Sequence, residues 1–193
     1  EVVKRDEYTL DALKKRLHDT GNDMVEEFVT QHDDLMALSP SGLNTVRIIT
    51  QLNKQGEVEI LGARLRITVN SSVDNLAAGN IAAPIDPETG RVSGPGVYSD
   101  ITRAYESVHP VTGTRIIGFQ GPFCKETRQL ALDAAKLNTG NRSIGWDIAI
   151  TNEGPELIEG NHDWCKLLWQ LPVKQGMKRI LDKHKEQLPA VVN

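Results

Sequence analysis

Two short apolar runs separated by a turn sequence constrain the fold of this chain more than any other feature. The first run, Gly-Trp-Asp-Ile-Ala-Ile-Thr, occupies residues 145–151, and the second, Leu-Ile-Glu-Gly-Asn, occupies residues 157–161. Between them lies Asn-Glu-Gly-Pro at 152–155, a composition typical of turns. The pattern predicts a hairpin of two buried strands.

Polar side chains that carry oxygen ligands interrupt both runs. Because side chains alternate across a strand, Glu159 and Asn161 should point to the same face, and Asp147 on the neighbouring strand can point there too. Two carboxylates and one amide oxygen suit a hard cation such as Mg²⁺, which also binds phosphate oxygens. The alternative is that Asp147 and Glu159 are strand-end charges that face solvent.

Composition limits the classes of function. The chain has 193 residues, enough for one sizeable domain or two small lobes, and its hydrophobic content of 39% is ordinary for a globular protein. A net charge of −4 argues against general nucleic-acid binding. No apolar stretch approaches the ~20 residues of a membrane span, and no secretion signal is visible, so we expect a cytoplasmic protein. Cys124 and Cys165 are expected to be free thiols, although one disulfide between them is possible.

Periodicity and turn signals outline the order of the elements. They predict helices at 8–18, 122–137 and 173–185, a helical turn at 31–38, and strands at 24–29, 43–52 and 57–69 before the hairpin. Strands followed by alternating helix and strand indicate an α+β fold around a mainly antiparallel sheet flanked by helices.

Three arginines lie in the predicted strands at 43–52 and 57–69. These are Arg47 on one arm of a hairpin, and Arg64 and Arg66 on the other. A buried arginine is costly unless it is paired. These arginines therefore either pair with carboxylates in the core of the sheet or face a cleft and bind an anion such as phosphate.

The order of these blocks resembles a known family. Residues 25–29, 44–50 and 64–75, followed by the hairpin at 145–161, are similar to the catalytic half of ATP-grasp ligases. The nearest match is the branch associated with sugar transfer and surface-polysaccharide gene clusters. The chain is more distantly similar to the tubulin tyrosine ligase group. The resemblance covers roughly residues 20–180 and implies ATP and Mg²⁺ as cofactors.

The resemblance implies a nucleotide-binding role for four consecutive residues. Glu26, Glu27, Phe28 and Val29 match the hinge strand that holds adenine in ATP-grasp proteins. An apolar slot beside an exposed strand edge suits a flat heterocycle, and a neighbouring glutamate can accept a hydrogen bond from its amine. The alternative is an edge strand kept soluble by its charges.

The resemblance also assigns roles at the reacting phosphate. Arg47 and Arg66 would contact the transferred phosphate and the acyl-phosphate intermediate, and Asn75 would lie near the triphosphate. Arg64 is the second candidate for the phosphate contact that is assigned to Arg66. For Asn75 the alternative is a simple turn, because an Asp-Asn pair commonly forms one.

The expected activity is an ATP-dependent carboxylate–amine ligase. ATP would phosphorylate a carboxylate and an amine would displace the phosphate, with substrates that could be linked to exopolysaccharide or cell-surface sugars. No Ser-His-Asp or Cys-His arrangement is visible, which agrees with a reaction driven by positioning and charge neutralisation. The alternatives are a small-molecule kinase on the same scaffold and a non-catalytic nucleotide-binding module.

The resemblance further predicts a division of the chain. Residues 1–30 would be a remnant of the nucleotide lid subdomain with the hinge strand, and residues 31–193 the catalytic subdomain. No glycine-rich phosphate loop precedes Glu26. We therefore expect that an N-terminal portion is missing and that the 193 residues alone are inactive; the alternative is a naturally short chain processed at its start.

Overall fold

The computed structural model describes residues 4–185 of the chain. The ends of the two predicted subdomains, residues 1–3 and 186–193, lie outside the described residues. Within residues 4–185, no helix is long and apolar enough to cross a membrane.

A five-stranded antiparallel sheet forms the centre of the structure, with strand order β3-β2-β1-β4-β5. Its strands are β1 (Thr45–Leu52), β2 (Val58–Ile67), β3 (Ile81–Ile85), β4 (Ser143–Thr151) and β5 (Gly154–Asn161). The predicted hairpins are both present, as β1–β2 and β4–β5, and the pairing of β1 with β4 joins them. The prediction that both strands of the second hairpin are buried is wrong for β5, because it lies at the edge of the sheet and its residues 156–160 are exposed. The predicted α+β class with an antiparallel sheet is confirmed.

One face of the sheet, here called the core face, carries the main apolar core. Helices α2 (Asp33–Leu38) and α3 (Cys124–Leu137) supply the residues packed in this core, Leu35 and Leu38 from α2 and Ala131 and Ala135 from α3. The sheet contributes alternate apolar residues, including Val46, Ile48, Leu65, Ile81, Trp146 and Ile148. This alternation is the period-2 pattern that the sequence predicts.

The opposite face, here called the site face, is covered by the chain that follows β5. This covering layer contains α4 (Lys166–Gln170), the one-turn 3₁₀ helix Leu171–Val173 and α5 (Lys178–Lys185). Ile49 packs here with Trp164, Trp169 and Met177. The predicted closing helix begins at Lys178 rather than at residue 173, because Lys174 adopts a left-handed backbone conformation with φ of 52°.

The N-terminal segment confirms one prediction and contradicts another. Helix α1 (Leu10–Thr20) is capped by Thr9, whose Oγ1 accepts a hydrogen bond from the Ala12 N–H at 3.2 Å. The strand predicted at 24–29 is wrong: these residues pair with no described strand, and Phe28 is 68% exposed. A strand forms only where an edge offers partners for its N–H and C=O groups.

The glycine at position 160 of β5 is required by the core. A Cβ at Gly160 would lie 2.7 Å from the Trp146 ring, which itself is held by the hydrogen bond from its Nε1 to Thr50 Oγ1 at 2.8 Å. We expect Gly160→Ala to lower the free energy of unfolding by about 1–3 kcal/mol through overpacking. Gly176→Ala is the control, because no atom lies within 4 Å of its Cβ position. Urea unfolding of both variants measures the difference, and equal stabilities would contradict the packing argument.

Candidate functional site

A row of charged residues crosses the site face from strand to strand. Asp147 on β4 lies directly opposite Arg47 on β1 and opposite Glu159 on β5, and Arg47 in turn lies opposite Arg64 on β2. Opposite residues of antiparallel strands point to the same face. The structure therefore brings Arg47, Asp147 and Glu159 to one side of the sheet, and for Asp147 and Glu159 this is the shared face that the hairpin pattern predicts.

A β-bulge in β5 determines that Glu159 belongs to this row. Ile148 pairs with Leu157 whereas Asp147 pairs with Glu159, so Ile158 is the extra residue of the bulge. Leu157 and Glu159 are two positions apart and would share a face in a regular strand. Because of the bulge, Leu157 pairs with a residue of the core face and Glu159 with a residue of the site face.

Four charged residues with little exposure form what we call the arginine–carboxylate cluster: Arg47, Arg66, Asp74 and Asp147. The Arg47 guanidinium donates from Nε to Asp147 Oδ1 and from Nη2 to Oδ2 at 2.5 Å. Arg66 donates from Nη1 to Asp147 Oδ2 at 2.5 Å, and its Nη2 forms an ion pair with Asp74 Oδ1 at 2.7 Å. No side chain of the cluster is more than 11% exposed. Pairing with core carboxylates, one of the two expectations for these arginines, is thus what the structure shows.

Arg64 makes a different set of contacts from its two neighbours. Its Nε donates to the Trp169 carbonyl at 3.0 Å and its Nη1 donates to the Ala63 carbonyl at 2.7 Å. Burial lowers the pKa of Arg64 to about 10. Arg64 therefore ties α4 to the sheet and takes no part in the cluster.

The two carboxylates of the cluster differ in their readiness to carry charge. Burial raises the pKa of Asp147, but the hydrogen bond from Arg47 and the charges of Arg66 and Arg47 outweigh it, so the pKa lies below its ordinary value. Burial also raises the pKa of Asp74, and there the charge of Arg66 and the hydrogen bonds from Thr45 offset only part of the rise. Asp147 is the carboxylate that the cluster holds charged.

Asp74 is the site residue that sequence reasoning missed. The Thr45 N–H donates to Asp74 Oδ2 at 3.0 Å, and the Thr45 hydroxyl donates to the same oxygen. The available signal was a carboxylate soon after a strand with two arginines, but its place in an Asp-Asn pair favoured a turn. The adjacent Asn75 does serve a turn, since its Oδ1 accepts from the Ala77 N–H at 3.2 Å. The role of Asn75 near a triphosphate stays a prediction.

The remaining predicted metal ligands lie at the end of β5. Asn161 Nδ2 donates to Glu159 Oε1 at 3.0 Å, which leaves Glu159 Oε2 and Asn161 Oδ1 without a partner in the part of the chain that the structure describes. Asp147 Oδ1, the third predicted ligand atom, already accepts a hydrogen bond from Arg47 Nε. Among residues 4–185, no group of three or more His, Cys, Asp or Glu is arranged to hold a metal, so Mg²⁺ binding by Asp147, Glu159 and Asn161 stays a prediction that rests on the chemistry of their oxygen atoms.

A buried nitrogen atom in the cluster is also unused. Arg66 Nε has no hydrogen-bond acceptor among the described residues. A buried donor without a partner is costly and is rare in native structures. This atom is therefore available to an anionic oxygen such as that of a phosphate, which fits the predicted role of Arg66.

The predicted adenine-binding residues lie in another part of the structure. Glu26, Glu27 and Phe28 line a groove of about 420 Å³ together with Leu13 and Leu17 of α1. Val29 is not part of this lining, and neither is any residue of the arginine–carboxylate cluster. The structure thus groups three of the four residues but does not bring them to the cluster, and their binding of adenine stays a prediction.

The low pKa of Asp147 predicts how its contribution to stability depends on pH. We expect Asp147→Asn to cost about 3 kcal/mol at pH 7, because Arg47 would remain buried without a counter-charge. Since the unfolded pKa is about 3.9 and the folded pKa is lower, this cost is full above about pH 4 and fades as the pH falls through the folded value. Denaturant unfolding from pH 7 down to about pH 2.5, with exposed Asp163→Asn as control, measures it. A cost that does not change with pH would contradict the assignment.

Comparison with known proteins agrees with the ordered motifs. No curated protein matches the chain. A family model described as sugar-transfer associated ATP-grasp matches residues 7–186, a span that includes every residue of the row and of the cluster. The chain therefore belongs to the sugar-transfer associated ATP-grasp family.

Proposed function

We propose that the protein is an ATP- and Mg²⁺-dependent ligase that activates a carboxylate as an acyl phosphate for attack by an amine. Its ATP-grasp family membership supports ATP-dependent, ligase-type chemistry. The carboxylate–amine reaction, and a substrate linked to a surface sugar, are the proposal. The observation that carries it is the row Glu159–Asp147–Arg47, which sets oxygen ligands beside a guanidinium on adjacent strands.

The oxygen ligands would hold the cation. In this proposal Asp147, Glu159 and Asn161 bind Mg²⁺, which supplies neutralisation of the phosphate charge. The ligands sit on paired strands of a packed sheet, so their backbones are fixed before any substrate arrives. Asp147 contributes through Oδ1, which receives one hydrogen bond, whereas Oδ2 receives two.

The arginines would move from a carboxylate to a phosphate. A guanidinium makes the same two-pronged contact with either group. Arg47 and Arg66 are therefore able to exchange Asp147 for phosphate oxygens, and Arg66 Nε gains an acceptor that it lacks in the described structure. Asp74 stays beside Arg66 through its two hydrogen bonds from Thr45 and so keeps the arginine oriented.

The remaining roles concern the nucleotide. Glu26, Glu27, Phe28 and Val29 would hold adenine, and Asn75 would lie near the triphosphate. No nucleophilic side chain is required, because phosphoryl transfer depends mainly on positioning and on neutralising charge.

A specific observation favours the rival function, a binding module without catalysis. The arginine–carboxylate cluster contains two cations and two carboxylates, is almost fully buried and is already paired. Such a cluster is also compatible with a purely structural role. The two functions differ in what happens to bound ATP, so the experiments measure turnover and stability in the same variants.

The first test concerns the cation ligands. We expect Glu159→Gln to reduce Mg²⁺-dependent phosphate release from ATP about 100-fold, equivalent to about 2.7 kcal/mol of lost charge stabilisation. Glu159 is exposed and Asn161 is its only side-chain partner among the described residues, so stability should hardly change. The assay uses the natural-length protein with a panel of carboxylates and amines, and Glu153→Gln in the turn is the control. Normal turnover in Glu159→Gln at low Mg²⁺ would remove Glu159 from the site.

The second test separates phosphate binding from core ion pairing. Arg47→Lys should lower turnover at least about 100-fold, since lysine cannot reproduce the two-pronged contact, while its charge still pairs with Asp147 and limits the loss of melting temperature. Arg64→Lys, in the same row but bonded to the Trp169 carbonyl, should lower the melting temperature without a comparable loss of turnover. If Arg47→Lys lowers only the melting temperature and not the turnover, the result supports the rival function, a binding module without catalysis.

Product analysis of the active protein distinguishes the ligase from a kinase. An amide with free phosphate is the product of the ligase, whereas a phosphorylated acceptor is the product of a kinase. We expect the amide.

A further inference from the structure

A second pocket lies at the far edge of the site face. Its volume is about 200 Å³, and residues from two distant segments line it, Val97 to Tyr105 on one side and the Leu171–Lys174 turn on the other. Neither segment contains a residue of the arginine–carboxylate cluster. The family match does not specify what this pocket binds.

The pocket lies in register with the cluster. Val97 forms an antiparallel bridge with Ala82 of β3, with both hydrogen bonds at 2.9 Å, and Ala82 lies opposite Arg66. The three residues form one cross-strand row, so the backbones of Arg66 and Val97 are roughly 10 Å apart by the spacing of adjacent strands. The pocket therefore opens on the same face as the proposed ligase site, one strand beyond β3.

Two cations in the pocket are stacked on tyrosine rings and make no direct ion pair with any residue that the structure describes. The Arg103 guanidinium carbon lies 3.2 Å from the centre of the Tyr98 ring, and Lys174 Nζ lies 3.7 Å from the centre of the Tyr105 ring. In residues 4–185 neither side chain has a hydrogen-bond acceptor or a direct ion pair, although the charge of Arg103 helps to lower the pKa of Asp100. A cation stacked on a ring keeps its N–H donors free at the edge, where an anion can bind.

The lysine is held in this place at an energetic cost. Lys174 has a left-handed backbone, with φ of 52° and ψ of 33°, which is unfavourable for a residue with a side chain. Glycine would occupy this position without strain. Strained conformations of this kind concentrate at ligand-binding sites. This conformation ends the Leu171–Val173 3₁₀ helix, and the ammonium group of the same residue lies above the Tyr105 ring.

The pocket also offers an acceptor and a partly exposed aromatic side chain. Asp100 Oδ1 receives hydrogen bonds from the Thr102 N–H at 2.9 Å and the Thr102 hydroxyl at 2.6 Å, while Oδ2 has no partner among the described residues. Those bonds from Thr102 hold the pKa of Asp100 below its ordinary value, so the carboxylate is charged. Tyr105 is 52% exposed.

We propose that this pocket binds an anionic ring compound, with its carboxylate or phosphate between Lys174 and Arg103. The apolar face of the ring packs against the exposed part of Tyr105, and a ring hydroxyl donates to Asp100 Oδ2. Such a mixture of one apolar surface and a few converging polar groups is typical of small-molecule sites. The site is distinct from the cation ligands and requires neither ATP nor Mg²⁺.

Calorimetric titration without nucleotide tests the proposal on the 193-residue chain. The probes are glucuronate, a carboxylate-bearing ring; glucose 1-phosphate, a phosphate-bearing ring; and neutral glucose and inorganic phosphate for comparison. At least one anionic ring should bind about tenfold more tightly than glucose and than inorganic phosphate. The anionic probe that binds more tightly identifies whether the pocket recognises a carboxylate or a phosphate.

Three variants locate the binding. Lys174→Gly should abolish the preference for the anionic ring while keeping or raising the melting temperature, because glycine relieves the strained backbone. Tyr105→Leu should weaken the binding of the anionic ring compound but not the binding of inorganic phosphate. The control is Lys136→Gln, which alters an exposed lysine paired with Asp133 on α3 and should bind the probes as the unaltered chain does.

Three outcomes would overturn the proposal: equal binding of glucose and both anionic rings, binding of neither anionic ring, or unchanged binding in Lys174→Gly. Because no ATP is present, these outcomes are independent of whether the ligase assay succeeds.

Discussion

The burial of Arg47 against Asp147 is the constraint on which the centre of this structure depends. The two residues lie opposite each other on the two strands that join the hairpins, with side chains no more than 8% exposed. Breaking such a pair leaves an uncompensated charge in a poorly solvated place, which costs far more than the pair gains. The register of β1 on β4 is therefore defined by charge as well as by the apolar pattern, since a slip of one residue would separate the two.

Close packing around the pair explains two otherwise unremarkable residues of the hairpin. A Cβ at Gly145 would lie 3.1 Å from Arg47 Cδ and 2.7 Å from Trp164 Cβ, so only glycine lets the arginine side chain and the tryptophan pass over β4. Gly160 makes comparable room for the Trp146 ring on the other face. The covering layer then excludes water from the cluster, which strengthens every electrostatic interaction inside it.

Much of this architecture could be predicted because its signals are local. The period-2 pattern of the strands, the Gly/Pro turn at 152–155 and the cap at Thr9 each act within a few residues, and the antiparallel hairpins follow from them. The strand predicted at 24–29 is wrong because its signal is also only local. Its apolar composition favours a strand, yet pairing requires an edge elsewhere in the structure, and no described strand supplies one.

By itself the sequence determined the α+β class, the two hairpins, and the presence of arginines and carboxylates on strands, since these depend on side-chain periodicity and turn chemistry. Only the tertiary structure decided how the charges pair. It set Asp74 beside Arg66, separated Arg64 from the cluster, and used the bulge at Ile158 to turn Glu159 toward Asp147. Those outcomes depend on which strands are neighbours and on one extra residue in a ladder, and neither is encoded in the spacing of residues along the chain.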